Sequence, residues 1–306
     1  MKFALACDSS RVHSYICNDN NVYLFNGSPY YRPHHISNKC LMGFWNFPML
    51  YNGYFINLNE GYYPDEQIDL IFAAIESDIR FLYKLKKMYP GAIIVGTIKE
   101  QHVDINLRNE LIKNTDAFVS QYLTYDFFNE FGYNTPKYTY KIPQPINIKF
   151  LKENFYKQKK NYMFDYSNYW IPGRGGYNQN FLNNLNYPSV INRSDNWHSF
   201  IDTWADAKYM INIDSTNNFG QQAIQCAVLE TIMLGGLNDS HKILYPKLAT
   251  CDLSILLKEF YELENNIEYY NATIKHASDI VEKIYSFDAI TNQINLMYYE
   301  IKKRLN

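Results

Sequence analysis

Apolar and polar positions along this chain fall into blocks whose period changes from strand-like to helix-like and back. Residues 2–7 are a short apolar run closed by Asp8, Ser9, Ser10 and Arg11, which predicts a buried strand ending in a polar loop. Residues 12–60 are dense in Tyr, Asn and Gly, with turn pairs at Asn26-Gly27 and Asn52-Gly53, and predict only short strands and loops. From Asp65, the positions Ile68, Ile71, Phe72, Ile75, Ile79 and Leu82 share one helical face, and Pro90-Gly91 stops that helix. A buried strand over 92–97, a helix over 104–114, a strand over 116–121, a short helix over 124–131 and an extended stretch over 137–147 follow. Alternation of strand and helix predicts a parallel α/β sheet.

Pro143 and Pro145 stiffen an extended crossing, after which the alternation restarts. The second half predicts strands at 161–166, 189–191 and 209–214, with helices at 177–186 and 197–205. Residues 217–236 then read as one apolar helix, with Ile224, Val228 and Ile232 at i, i+4 and i+8 and a stop at Gly235-Gly236. Two helical runs, from Ile267 to Ile284 and from Phe287 to Ile301, close the chain. The expected organisation is an α/β domain at 1–146, a second at 147–285, and a helix at 286–306 packing back on the first. Two such Rossmann-like halves face a cleft, and parallel sheets bind ligands at the carboxyl ends of their strands.

Composition narrows the function classes. The 306 residues are 47% hydrophobic, which suffices for a full core. A net charge of −2 gives no bulk electrostatic case for nucleic acid or an acidic membrane, and the local lysine clusters read as solvated helix ends. Five cysteines at 7, 17, 40, 226 and 251 contain no CxxC, so neither a disulfide framework nor a zinc site is indicated and a reduced, cytoplasmic setting is expected. The opening apolar run is too short for a secretory or membrane-spanning segment. Abundant Asn, Lys, Ile, Tyr and Phe fit an AT-rich genome of the kind found in many phages and some bacteria. No Asp-x-Asp occurs and the seven histidines make no metal spacing, so neither a metal nor another cofactor is expected.

Two loops in the second half follow a strand and open a helix. In the first, Arg174 lies among Gly173, Gly175 and Gly176, where exposed amides, a helix dipole and a guanidinium favour an anion; a plain glycine turn is the structural alternative. In the second, Ser215, Thr216, Asn217, Asn218, Phe219 and Gly220 supply more polar groups than one helix cap needs, a surplus that a phosphate or a sugar hydroxyl would use. Gln222, Cys226 and Glu230 form one stripe along the predicted helix. A buried Glu230 needs a partner, and a carboxylate can accept two protons from a vicinal diol.

The stretch WADAKYMINIDSTNNFGQQAIQCAVLETIMLGG, with the helical tail after it, resembles the C-terminal half of GT-B glycosyltransferases, and DAFVSQYLTYDFFNEFGYNTPKYTYKIPQPIN resembles the crossing from their first domain. The resemblance spans roughly residues 90–300 and implies two Rossmann-like domains, a nucleotide-sugar co-substrate, and Glu230 on the donor ribose. Many retaining members carry Glu-x7-Glu on this helix; here Gln222 stands eight before Glu230, and the basic pair of the family is reduced to Arg174. Trp197 is the candidate to stack on the nucleotide base, with a core position as the alternative. Without a metal, helix N-termini and Arg174 would stabilise the leaving diphosphate. On the acceptor side the first-half loops offer Arg11 and His13, and an inverting enzyme would draw its base from Asp8, Glu100 or His102. The implied activity is sugar transfer to an acceptor hydroxyl of a glycan. A phage-type enzyme acting on a hydroxymethylated base in DNA is the alternative, and an inactive nucleotide-sugar binder is a further one.

Overall fold

Most of the strands are short runs of apolar residues buried on both faces. In the computed structural model, which describes residues 1–8, 46–59, 61, 63–98, 103–166, 175–191, 197–213 and 219–305, they form two parallel sheets. At residues 175, 176 and 197–200 the description covers the backbone alone. The chain divides into two compact units, Met1–Ile146 with Phe287–Asn306, and Asn147–Ser286.

The first unit holds β1 (Phe3–Cys7), β2 (Tyr54–Asn57), β3 (Leu70–Ala74), β4 (Ile93–Thr97), β5 (Ala117–Ser120) and β6 (Thr139–Lys141). Their order is β2-β1-β3-β4-β5-β6, all parallel, with Leu5 paired to Phe55 on one side and Phe72 on the other. Every residue of β1 to β5 is buried, whereas the edge strand β6 exposes Thr139 and Lys141. Helices α1 (Arg80–Met88), α2 (Ile105–Asn114) and α3 (Phe127–Glu130) belong to this unit; Asp104 and Asp126 cap the last two through their side chains. The C-terminal helix Phe287–Leu305 lays Ile290, Ile294, Met297 and Ile301 into the core beside Phe3, Leu5, Phe72 and Val95. Burying each such side chain stabilises the unit by about 1.5–3 kcal/mol.

The second unit opens with α4 (Ile148–Phe155). Its strands are β7 (Lys160–Asp165), β8 (Ser189–Val190), β9 (Ala207–Ile211) and β10 (Ile232–Leu234), in the order β10-β9-β7-β8, all parallel. Its further helices are α5 (Gly175–Asn183), α6 (Trp197–Trp204), α7 (Gln221–Val228), α8 (Asp239–Leu244), α9 (Leu253–Asn265) and α10 (Ile267–Ile280), the last running into a π-helical turn at Val281–Tyr285. Among the described residues no helix is long and apolar enough to cross a membrane.

Two predicted helices prove to be composites. The stretch from Asp65 is β3 followed by α1, and Ile68, Ile71, Phe72 and Ile75 are fully buried because β3 is an interior strand covered on both faces. A short interior strand and one side of a helix give the same apolar run. Likewise 217–236 is α7, a turn, and β10: the helix ends at Val228, Glu230 adopts φ 58°, and Ile232–Leu234 pair with β9.

Each sheet has one topological switch point, where the chain leaves a strand toward one side and later returns to the other. In the first unit β1 lies between β2 and β3; in the second, β7 lies between β8 and β9. Open parallel sheets bind ligands outside the carboxyl ends of the strands at such points.

Candidate active site

At the switch point of the second unit, the carboxyl ends of β7 and β9 are tied by Asn178 of α5. Its Nδ2 donates to Asp165 Oδ1 at 2.7 Å and to the Ile211 carbonyl at 3.1 Å, and its Oδ1 accepts from Ile213 N at 2.7 Å. Donors on one side and a carboxylate and carbonyl on the other fix the amide's orientation. Asp165 and Asn178 are each 2% exposed, so this network sets the direction in which the chain leaves β9.

Past Ile213 the chain reaches α7 through Phe219 and Gly220. Ser240 holds the Phe219 carbonyl through its N–H and its hydroxyl, at 3.2 and 2.8 Å. Gly220 has φ 85° and lies so close to Asn238 that a Cβ there would overlap the Asn238 amide. Asn238 itself caps α8 by accepting from His241 N at 2.9 Å. Among the described residues no side chain caps α7, and its first intrahelical bond is Ala223 N to Gly220 O. The amino end of α7 carries the positive end of the helix dipole. Gln222, in that first turn, donates from Nε2 to the Tyr166 hydroxyl at 3.1 Å, which places both side chains at the carboxyl end of β7. His241 is fully buried, its Nε2 hydrogen bonded to the Met233 carbonyl at 2.9 Å, and desolvation lowers its pKa to about 4.

The corresponding edge of the first unit is also polar. Asp8, just past β1, is 3% exposed, and its carboxylate accepts from Glu76 N, Ser77 N and the Ser77 hydroxyl at 2.7–2.9 Å. Arg108 of α2 is fully buried and donates to the Thr97 carbonyl at 3.2 Å, with the Tyr133 ring 5.8 Å from its guanidinium carbon. Desolvation lowers its pKa, and the charges of Glu76 and Asp8 oppose that shift. Gln121 donates to the Thr97 hydroxyl and the Ile98 carbonyl and accepts from Gln144.

No protein-family model matches the sequence, and no curated protein matches it. Solved structures do match in three dimensions. Sucrose-phosphate synthase from Thermosynechococcus elongatus superposes with a TM-score of 0.61 at 12% identity, over 83% of this chain and 84% of that one. An alpha-glucosyltransferase in complex with UDP-glucose and DNA containing an abasic site gives 0.54 at 10% identity, over 76% and 80%. The Anabaena protein HepE in complex with UDP and glucose gives 0.54 at 12% identity, over 76% and 78%. This chain has the GT-B glycosyltransferase fold.

On the GT-B frame, the residues singled out from sequence separate into three groups. Gln222, Phe219 and Gly220 come together at the switch point of the second unit. The backbone of Gly175 opens α5 and that of Trp197 opens α6, while the Trp197 side chain lies outside the described residues. Arg11, His13, Glu100, His102, Arg174, Ser215, Thr216, Asn217 and Asn218 also lie outside them. Among the described residues no cluster of three His, Cys, Asp or Glu side chains has the arrangement of a metal site.

Two expectations need correction. Asp8 is not placed as a free base, since three donors occupy its buried carboxylate and make it a clamp between the loops after β1 and β3. Glu230 is not on the helix wall. It follows α7 and precedes β10, so it sits at the amino end of the strands, and its carboxylate accepts from the half-exposed Tyr156 hydroxyl at 2.9 Å. Lys159 marks the same end. Just before β7, it donates to the Thr231 hydroxyl beside Glu230 and to the Ala205 carbonyl ahead of β9, and desolvation brings its pKa down to about 8. The six residues of β7 put roughly 20 Å between this end and the switch point.

Sequence reasoning missed Tyr166, Asn178, Arg108 and Glu76. Each is an ordinary polar residue beside an apolar run. The available signal was positional: Tyr166 and Glu76 are among the first polar residues after interior strands.

Proposed function

We propose that this protein is a glycosyltransferase that moves a sugar from a nucleotide-diphosphate sugar to an acceptor hydroxyl without a metal or other cofactor. The observation that carries the reading is the switch point of the second unit on a GT-B fold, where the amino end of α7 is uncapped among the described residues and Gln222 and Tyr166 stand beside it. Backbone amides and a helix dipole stabilise the diphosphate as negative charge develops on it, which is the stabilisation a metal-free transfer requires. Arg174, Gly175 and the 215–220 loop are assigned to the donor phosphates and sugar, and Trp197 to the base. Arg11 and His13 are assigned to the acceptor, and Glu100 and His102 stay as acceptor-side acid–base candidates. The ribose role does not pass to Glu230, given its place at the far end of the strands.

A DNA acceptor bearing a hydroxymethylated base is the second reading, favoured by the likeness to the alpha-glucosyltransferase solved with DNA. The abundance of Asn, Lys, Ile, Tyr and Phe, which fits an AT-rich genome, supports it, with the reaction in the cytoplasm of a bacterium or a phage-infected cell.

Thermal-shift measurements in EDTA with UDP, GDP and UDP-glucose test the donor assignment. A ligand at a hundred times its Kd stabilises the folded state by about 2.7 kcal/mol. Release of UDP or GDP in EDTA then separates an enzyme from an inactive binder. Turnover that needs added magnesium or manganese would overturn the metal-free reading. Stimulation by hydroxymethylcytosine duplex and not by unmodified duplex selects the DNA acceptor.

A further inference from the structure

The open edge of the first sheet gathers positive charge from three separate parts of the chain. Among the described residues no strand pairs with the outer side of β6. Tyr138 O and Ile142 N bond back to β5, so the alternation along a parallel strand turns the amides of Thr139 and Lys141 outward. Lys137 precedes β6 and Lys141 ends it. Lys113 stands in the last turn of α2, and Lys302, Lys303 and Arg304 in the last turn of the C-terminal helix. All six side chains are exposed, and all belong to the first unit.

Tyr138 joins these segments. The Arg304 guanidinium carbon lies 4.4 Å and Lys137 Nζ 5.0 Å from its ring centre, and Lys113, Lys137 and Tyr138 line one cavity of about 340 Å³ together with Thr115 and Thr135. Arg304 is fixed by the Tyr140 hydroxyl at 3.1 Å and by Glu300 at 3.5 Å, and Lys302 lies 5.6 Å from the Tyr298 ring. The neighbouring carboxylates are engaged: Glu300 accepts from Tyr140, Asp116 from the Ile94 amide, and Glu110 from Tyr83 and Asn114. Among the described residues no carboxylate pairs with Lys113, Lys137, Lys302 or Lys303. A lysine on an edge strand serves by itself to keep other strands from pairing there. Cations converging from a helix end, a strand and the C-terminal helix exceed what that purpose needs.

We propose that this edge is a docking surface for the phosphate backbone of duplex DNA, a reading that takes its choice of polyanion from the DNA-acceptor function above. From Lys137 to Lys141 the chain advances about 13 Å, which spans about four phosphates of one DNA strand. The lysines meet phosphate oxygens as mobile point charges, and the outward amides of Thr139 and Lys141 add neutral donors. Contacts of this kind hold and orient a duplex without reading its bases, so the docking is independent of sequence and leaves the choice of base to the acceptor site. The net charge of −2 does not oppose it, because at 0.1 M salt charges more than about 10 Å away are largely screened.

The test uses the full chain and a short fluorescent duplex without modified bases, which reads docking apart from transfer. Anisotropy over about 50–200 mM salt is expected to show binding that weakens as salt rises. Lys137→Gln, Lys302→Gln and Lys303→Gln combined are expected to weaken it at least about tenfold and to flatten the slope of log K against log salt by about 2–3, since each phosphate contact contributes about 0.9. The same positions changed to Arg keep the charge and are expected to keep the affinity within about threefold. Lys258→Gln, Lys275→Gln and Lys283→Gln combined remove equal charge from exposed sites of the second unit and are expected to change it by less than about threefold. An unchanged slope in the first Gln set, or an equal loss in the second, overturns the proposal. If the first set does not fold, Lys137→Gln alone decides, with a slope reduced by about one supporting the docking and an unchanged slope overturning it. A native chain that binds phosphatidylglycerol vesicles and no duplex makes the edge a membrane surface and also overturns it. UDP release from UDP-glucose is measured separately: a duplex that docks as stated yet never stimulates release, even with hydroxymethylcytosine, removes the DNA acceptor and leaves the docking. Stimulation by hydroxymethylcytosine duplex with no loss of affinity in the first Gln set removes the docking and leaves the acceptor.

Discussion

Acidification should destabilise the second unit through His241. The imidazole is fully buried, its Nε2 is bonded to the Met233 carbonyl, and among the described residues Nδ1 has no hydrogen-bond partner. The neutral tautomer with its proton on Nε2 fits this site, and a second proton does not. Burial lowers the folded-state pKa from 6.5 to about 4. Because the folded value lies below the unfolded one, the unfolded chain binds the proton first as pH falls. Stability is therefore unaffected by this group above pH 6.5, declines between 6.5 and 4, and is lowered by a constant amount below 4. At 1.36 kcal/mol per pKa unit the loss is about 2 kcal/mol at pH 5 and about 3 kcal/mol at pH 4. Urea denaturation followed by tryptophan fluorescence, which includes the buried Trp204 of the same unit, measures it at pH 7.5, 6, 5 and 4. His241→Gln keeps an amide donor for the Met233 carbonyl but cannot titrate, so the native-minus-variant difference should shrink by the same 2–3 kcal/mol as pH falls. A difference that stays flat from pH 7.5 to 4 refutes the reasoning.

Three further outcomes follow from geometry at single positions. Gly220→Ala forces a side chain at φ 85° against Asn238; it should cost about 2–4 kcal/mol by urea denaturation and weaken nucleotide-diphosphate binding, and a cost under about 0.5 kcal/mol would show that the loop relaxes freely. Glu230→Gly relieves a left-handed residue and loses one half-exposed hydrogen bond to Tyr156, so it should raise stability by up to about 1 kcal/mol and leave UDP affinity unchanged by calorimetry. A tenfold fall in UDP affinity would restore Glu230 to the donor site. Asp8→Asn exchanges an acceptor oxygen for a donor facing the amides of Glu76 and Ser77, and should destabilise the first unit by about 1.5–3 kcal/mol; equal melting temperatures would mean that the clamp contributes nothing.

The sequence by itself determined the class of fold. Strands buried on both faces write themselves as apolar runs, as in Phe3–Cys7, Ile93–Thr97 and Ala207–Ile211, and the amphipathic C-terminal helix shows Ile290, Ile294, Met297 and Ile301 at helical spacing. Where a strand and a helix are both apolar, the period alone could not divide them. Leu70–Ala74 and Ile232–Leu234 were hidden inside longer helical readings because burial on all sides removes the polar positions that reveal a period. Tertiary structure alone decided the sites. Strand order placed β1 beside β3 and β7 beside β9, and so brought Asp8 to Glu76 across 68 residues and Tyr166 to Gln222 across 56. It also moved Glu230, which a continuous helix would have carried along the site wall, to the opposite end of the sheet, because the chain turns at that residue to enter β10. Local sequence encodes which residues leave water; which of them meet at a switch point depends on contacts between distant segments, and no short-range pattern records those.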